Sequence, residues 1–297
     1  KPALINPVLE QLGTTPLRQG CKLIDLINRP QVTLENMAEH VSAFRRELDK
    51  VTERKEEIIE AAEILIKYED GTVLDHGARQ HASFASPRYR ELAYKMIEKL
   101  AQHYGNDPRI VGWQLDNEPA VQFDYSEAAE IAFRNFLKNK YHNTIKELND
   151  AWGTAFWSEV YSTFDEITLP KTAQMFMNHH QILDYRRFAA GQTNDFLNEQ
   201  CLLIKKHARN QWITTNYIPN YDEGHIGGSP DLDFVSYTRY MVYGDNEGIG
   251  RRGYRVGNPL RIAFANDFFR PVQGTYGVME LQPGQVNWGG INPQPLP

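Results

Sequence analysis

Apolar positions along the chain fall into two textures that meet near residue 70. Leu34, Met37, Val41, Phe44 and Leu48, within Thr33–Lys67, recur at spacings of 3, 4, 3 and 4, the period of one helix face. Arg45, Glu47 and Lys50 occupy the other side, and a second helix is predicted over Glu56–Ile66. Asp70-Gly71 is a turn signal, and beyond it short runs alternate with long ones. Ile110–Leu115, Trp212–Tyr217, Phe234–Tyr240 and Thr275–Leu281 are rich in β-branched and aromatic residues and read as strands. Helices are predicted over Arg88–Tyr104, Ser126–Tyr141 and, longest, Thr172–Arg209, where Ile182, Tyr185, Ala189, Phe196 and Leu203 keep spacings of 3, 4, 7 and 7. Strands separated by helices imply βα units and a parallel sheet, an α/β fold.

Composition narrows the function classes. With 297 residues, 41% hydrophobic and 11% aromatic, the chain can bury a sizeable core and lacks the signature of disorder. No apolar run approaches the ~18 residues of a membrane span. The start, Lys1-Pro2-Ala3-Leu4, is unlike a signal peptide, so no membrane partner and a cytoplasmic location are expected. The net charge is −6 and no basic stripe is visible, which argues against a nucleic-acid partner. Residues 1–69 hold 10 Lys+Arg and 12 Asp+Glu, net −2, leaving −4 for the rest, so charge is not segregated between the two textures. Cys21 and Cys201 are the only cysteines, too few for a disulfide framework or a cysteine zinc site. Homo-oligomerisation stays open.

In a barrel of βα units, working residues project from the C-terminal strand ends. Glu118 closes Gly112-Trp113-Gln114-Leu115-Asp116-Asn117-Glu118 before Pro119, and Glu280 closes Tyr276-Gly277-Val278-Met279-Glu280 shortly before Pro283. A carboxylate pair is what glycoside hydrolysis needs, one protonated and one ionised, with a gap of about 5–5.5 Å predicting retention of configuration. Trp113, Tyr237, Tyr240 and Trp288 supply rings of the kind that stack on sugar C–H faces, and Asn117 and Asn216 are candidate hydrogen-bond donors to sugar hydroxyls. A single glutamate after a strand is more often a solvated loop residue. Two such sites in one chain, with aromatics around them, favour catalysis.

Gly77-Ala78-Arg79-Gln80-His81, the run Asn106–Glu118, Asp233-Phe234-Val235-Ser236-Tyr237 and the run Val278–Trp288 resemble glycoside hydrolase family 42, the β-galactosidases. The resemblance covers residues 70–297 and implies a (β/α)8 TIM barrel that releases terminal β-D-galactose from short oligosaccharides with retention, without a cofactor. It implies Glu118 as general acid/base, Glu280 as nucleophile, Asn117 beside the sugar, Arg79 and Trp288 in the galactose subsite, and, more weakly, Tyr237 and Asn216 as substrate contacts. Some members of the family carry a cysteine zinc cluster near the acid/base loop. Here Ser83 stands at one cysteine position and Pro119–Ser126 has no cysteine, so no metal is expected. Four strands are legible where the barrel needs eight, so the barrel is expected to be incomplete.

Residues 1–69 resemble a different family, the C-terminal helical region of the FAD-dependent tRNA-uridine carboxymethylaminomethyl-modifying enzyme. The matching residues are Ile5-Asn6-Pro7-Val8-Leu9, Thr14-Thr15-Pro16-Leu17, Asp25–Pro30 and Ile64–Glu69. The glycine-rich dinucleotide fingerprint is absent, so no flavin function follows. The expected organisation is a helical segment, 1–69, of different origin, joined near 69/70 to a partial barrel. The alternative to an active hydrolase is an inactive fragment or chimera that only binds.

Overall fold

The computed structural model describes residues 63–74, 81–172, 177–219, 224–239 and 259–281. The chain divides into two compact units, Lys1–Glu63 and Ile64–Pro297. The helices expected within 33–62 lie outside the described residues. Glu63 is helical, whereas Leu65 and Lys67 already form antiparallel bridges, to Ala82 and Val73. The helix predicted through Ile66 therefore stops earlier than its periodicity suggests. The Ile66 N–H donates to the His81 carbonyl at 2.8 Å, and Leu74 N–H to Ile66 at 2.9 Å, so this stretch is hydrogen-bonded as extended chain.

Beyond this hairpin, helix α1 (Pro87–Tyr104) precedes strand β1 (Gly112–Gln114). Ser86 caps α1 by accepting from Tyr89 N–H, with Pro87 in the first turn, where its missing donor costs nothing. Helices α2 (Glu127–Lys140), α3 (Ile145–Trp152), α4 (Thr154–Trp157) and α5 (His179–Lys205) lead to strands β2 (Trp212–Thr214) and β3 (Asn216–Tyr217). Strand β4 (Val235–Arg239), helix α6 (Pro259–Gln273) and strand β5 (Tyr276–Leu281) follow. Helix α5 starts later than the predicted Thr172 because Asn178 caps it, accepting from His180 and Gln181 N–H. Helix α6 carries prolines at both Pro259 and Pro271, which mask it in a propensity reading.

All pairing between named strands is parallel: β1 with β2, then β3 with β4 and β4 with β5. Only Thr215 separates β2 from β3, so four strand positions run in chain order as an arc. Gly112 lets β1 lie against its partner Trp212 in β2, since a Cβ there would come to 2.0 Å from the Trp212 ring.

Alternation sorts the side chains onto two faces. Ile213, Tyr217, Val235 and Tyr237 face the helices and pack with Leu197, Cys201 and Ile204 of α5 and Ala265 and Phe269 of α6. Cys201 is a buried free cysteine, and burial pushes its thiol up to about 11, leaving it unreactive. The other face carries Thr214, Asn216, Ser236 and Thr238, all buried. A second cluster, with Phe133, Leu137, Leu148, Trp152, Tyr185 and Phe188, joins α2 and α3 to the first half of α5. Among the described residues no helix is long and apolar enough to cross a membrane. The observed architecture is a partial α/β barrel.

Candidate active site

The chain after β1 turns sharply. Asp116 and Glu118 have φ of 44° and 52°, a left-handed conformation that costs a non-glycine residue about 1–2 kcal/mol each. Such strain persists only where surroundings hold it, and here the neighbours can be named. Gln200 of α5 donates to the Asp116 carboxylate at 2.8 Å, and burial pushes that carboxyl above its ordinary range. Thr193 Oγ1 of α5 donates to the Ala120 carbonyl at 3.2 Å, and His225 Nε2 donates to the Pro119 carbonyl at 2.9 Å. Farther along, Asp124 accepts from Ser83 Oγ at 2.5 Å, Lys67 N–H at 3.1 Å and Ser126 Oγ at 2.8 Å. That hub ties the loop to the 64–74 hairpin and to the cap of α2. Position 83, a cysteine in the zinc-bearing pattern, is thus a serine committed to a carboxylate. Among the described residues no group of three or more His, Cys, Asp or Glu could hold a metal ion.

Glu280 reaches the same place by a different device. Tyr276 and Val278 pack against the helix-side core, so strict alternation would send Glu280 that way too. The β4–β5 register shifts between Tyr237 and Thr238, pairing Tyr237 with Val278 but Thr238 with Glu280. Met279 is the extra residue of this bulge, and bulges re-aim side chains beside active sites. Glu280 consequently stands opposite Thr238, on the face away from the helices.

Asn216 joins the two. Its Oδ1 accepts from Glu118 N–H at 3.0 Å and from Gln114 Nε2 at 3.0 Å. Its Nδ2 lies 2.9 Å from Glu280 Oε1, 2.9 Å from Thr238 Oγ1 and 3.1 Å from Asn117 Oδ1. One side chain of the middle strand thus touches the backbone of one acid and the carboxylate of the other. Both acids stand at the same C-terminal end of the sheet, the end that carries chemistry in barrel enzymes.

The remaining expectations divide. Asn117 is exposed beside Glu118, with its Oδ1 accepting from Asn216 Nδ2 at 3.1 Å. Asn216 is 0% exposed and has both ends of its amide committed to protein groups, so it is no free donor to sugar hydroxyls. Tyr237 is 1% exposed. Its ring stacks on Phe269 at 4.6 Å and its hydroxyl donates to Asn266, both on α6. It is therefore core on the helix side, and its odd position in β4 is the reason. Trp113 likewise packs against that core, with Nε1 donating to Gln211 at 2.5 Å. Arg79, Tyr240 and Trp288 lie outside the described residues. Sequence reading missed Gln114 and Thr238. The signal available was a line of polar residues (Gln114, Thr214, Asn216, Ser236, Thr238) at one parity of otherwise apolar strands.

Comparison with known proteins bears on the family and the fold. The glycoside hydrolase 42 family model, described as Beta-galactosidase, matches residues 58–297. "Beta-galactosidase BgaA" of Thermus sp is 38% identical over 247 residues, covering 79% of this chain and 38% of the relative. The solved structure of a polyextremophilic β-galactosidase from Halorubrum lacusprofundi superposes with a TM-score of 0.73 at 32% identity, covering 80% of this chain and 37% of that one. The chain thus spans under two fifths of the length of these relatives. Residues 1–70 match the C-terminal helical domain of the tRNA modifying enzyme MnmG/GidA. Over 70 residues they are 80% identical to the tRNA uridine 5-carboxymethylaminomethyl modification enzyme MnmG of Bacteroides fragilis, covering 23% of this chain and 11% of that protein. The two family matches overlap at 58–70, across the boundary between the two compact units at Glu63/Ile64.

Proposed function

This chain belongs to glycoside hydrolase family 42, the β-galactosidases, and from that premise we propose that it hydrolyses terminal β-D-galactosides with retention through Glu118 and Glu280. The observation that carries the reading is the Asn216 amide, hydrogen-bonded at once to Glu118 N–H and to Glu280 Oε1. Glu118, protonated, gives its proton to the glycosidic oxygen as the bond to the aglycone breaks. Glu280, ionised, attacks the anomeric carbon and forms a glycosyl-enzyme. Water then attacks that carbon while Glu118 takes a proton back, releasing galactose in its starting configuration and restoring both acids. Asn117 is assigned to a sugar hydroxyl, and Arg79 and Trp288 to the walls of the galactose subsite. No cofactor enters the scheme.

Two measurements test it. Galactose released from a nitrophenyl β-D-galactoside, followed by NMR before mutarotation, should appear first as the β-anomer. First appearance of the α-anomer would replace the scheme by single displacement, and no release at all would remove it. Glu118→Gln should lose about 10²–10⁴-fold on a poor leaving group that needs protonation. With dinitrophenol, a leaving group that departs unprotonated, it should form the glycosyl-enzyme nearly as fast as wild type. Equal losses on both substrates would take Glu118 out of the acid role.

A second reading is favoured by one observation. Among the described residues β1 pairs only with β2, and β5 only with β4, while Met96 and Val111 beside β1 are 60% and 68% exposed. Open edges and bare apolar faces promote association, as expected of an inactive fragment. Light scattering combined with the activity assay separates the readings. A compact, active species dismisses the second, whereas an inactive aggregate supports it.

A further inference from the structure

We propose that Asn216 is a positioning residue, one buried amide that holds the nucleophile with its nitrogen and the acid/base loop with its oxygen. The inference rests on the roles given above to Glu118 and Glu280, and goes beyond them by naming what sets their relative geometry.

An asparagine amide offers one oxygen with two lone pairs and one nitrogen with two hydrogens. At position 216 the oxygen is filled by Glu118 N–H and Gln114 Nε2, both at 3.0 Å. Among the described residues the nitrogen meets acceptors: Glu280 Oε1, Thr238 Oγ1 and Asn117 Oδ1, within 2.9–3.1 Å. This arrangement fixes the amide's orientation. Turned over, its oxygen would oppose a carboxylate and its nitrogen would oppose the Glu118 N–H, losing bonds on both sides. The residue is 0% exposed and is locked in β3, paired to β4 with Asn216 opposite Ser236. A rigid strand therefore carries the link, and the Glu118 turn, strained at φ 52°, is held from the side on which its partner acid sits.

Substituting aspartate separates the two functions of the amide. Its carboxyl keeps an acceptor for Glu118 N–H, but donates toward Glu280 only when protonated. Ionised, it sets a like charge against the nucleophile. Three results are expected. Asn216→Ala lowers kcat about 10²-fold, the cost of misplacing reacting groups by about an ångström, with KM within about threefold. Asn216→Asp is active only on the acid side, its pH–rate profile losing the alkaline part that wild type keeps. The Glu118 amide, read by NMR hydrogen exchange, is protected in wild type and in Asn216→Asp and exchanges freely in Asn216→Ala. A rise in KM at constant kcat would make Asn216 a sugar contact and overturn the proposal. So would a protected Glu118 amide in the alanine variant, or an aspartate profile with the shape of wild type. If wild type releases no galactose, the hydrolase reading falls, and the exchange comparison alone decides the link.

Discussion

Replacing Glu280 with glycine should reduce turnover of a chromogenic β-galactoside by about 10⁴-fold or more, the usual penalty for losing a covalent nucleophile. Added azide should restore release of the chromophore. The glycine leaves a space on the face of the sugar opposite the aglycone, where the small anion can attack in place of the carboxylate. Glu118, untouched, still protonates the leaving oxygen. One displacement then occurs instead of two, and the product is α-galactosyl azide, inverted relative to the substrate. Recovery of the β-azide would mean that the carboxylate removed was the acid/base and that the assignments must be exchanged. Wild-type rates in Glu280→Gln would remove the residue from the chemistry. The expectation depends on the bulge at Met279. Without the shift that pairs Glu280 with Thr238, position 280 would share the parity of Val278 and face the helices.

That parity was not legible in the amino-acid sequence, and the reason is physical. In a strand buried on both faces, as Val235-Ser236-Tyr237-Thr238 is at every residue, the alternation of Ser236 and Thr238 with Val235 and Tyr237 marks a polar parity, but no exposed face tells which side holds the site. Tyr237 was accordingly expected at the sugar and stands instead against Phe269. The strands themselves were legible because β-branched and aromatic runs lie between turn residues, and each observed strand falls inside its predicted range. Helix α6 was not legible, since Pro259 and Pro271 contradict a helix locally while Ala265 and Phe269 fix it by packing on the sheet. Ile64–Ile66 failed in the opposite sense. Their periodicity continues a helix, but the backbone partners that make them extended, His81 for Ile66 and Ser83 for Ile64, lie farther along the chain. Glu118 and Glu280 stand out in the sequence because strand-end acids before proline turns are a local signal, and the structure brings both to the Asn216 amide. The partners of Asn216 are not legible locally, because they come from neighbouring strands that meet around it.

The largest effect on stability is expected away from the site, at Asp184. This carboxylate is 2% exposed, between α2, α3 and α5. It accepts from Tyr141 Oη at 2.6 Å and from Trp152 Nε1 at 3.0 Å, and pairs with Lys140. Burial alone would raise its carboxyl, but the hydrogen bonds from Lys140, Tyr141 and Trp152 outweigh burial and hold it below its ordinary value of 3.8. Asp184→Asn keeps the shape but turns an NH₂ group toward these donors and leaves the Lys140 charge without its counterpart. Breaking a buried pair from one side costs about 3 kcal/mol, here at neutral pH, where the carboxylate is ionised. A group whose folded pKa is depressed contributes stability above its unfolded value and loses it as the pH falls through the folded value. Urea unfolding should therefore show the variant less stable by about 3 kcal/mol at pH 7, with the gap to wild type narrowing as the pH drops below 3.8. A gap that stays constant down to acid pH would place the cost in packing around the amide rather than in the charge.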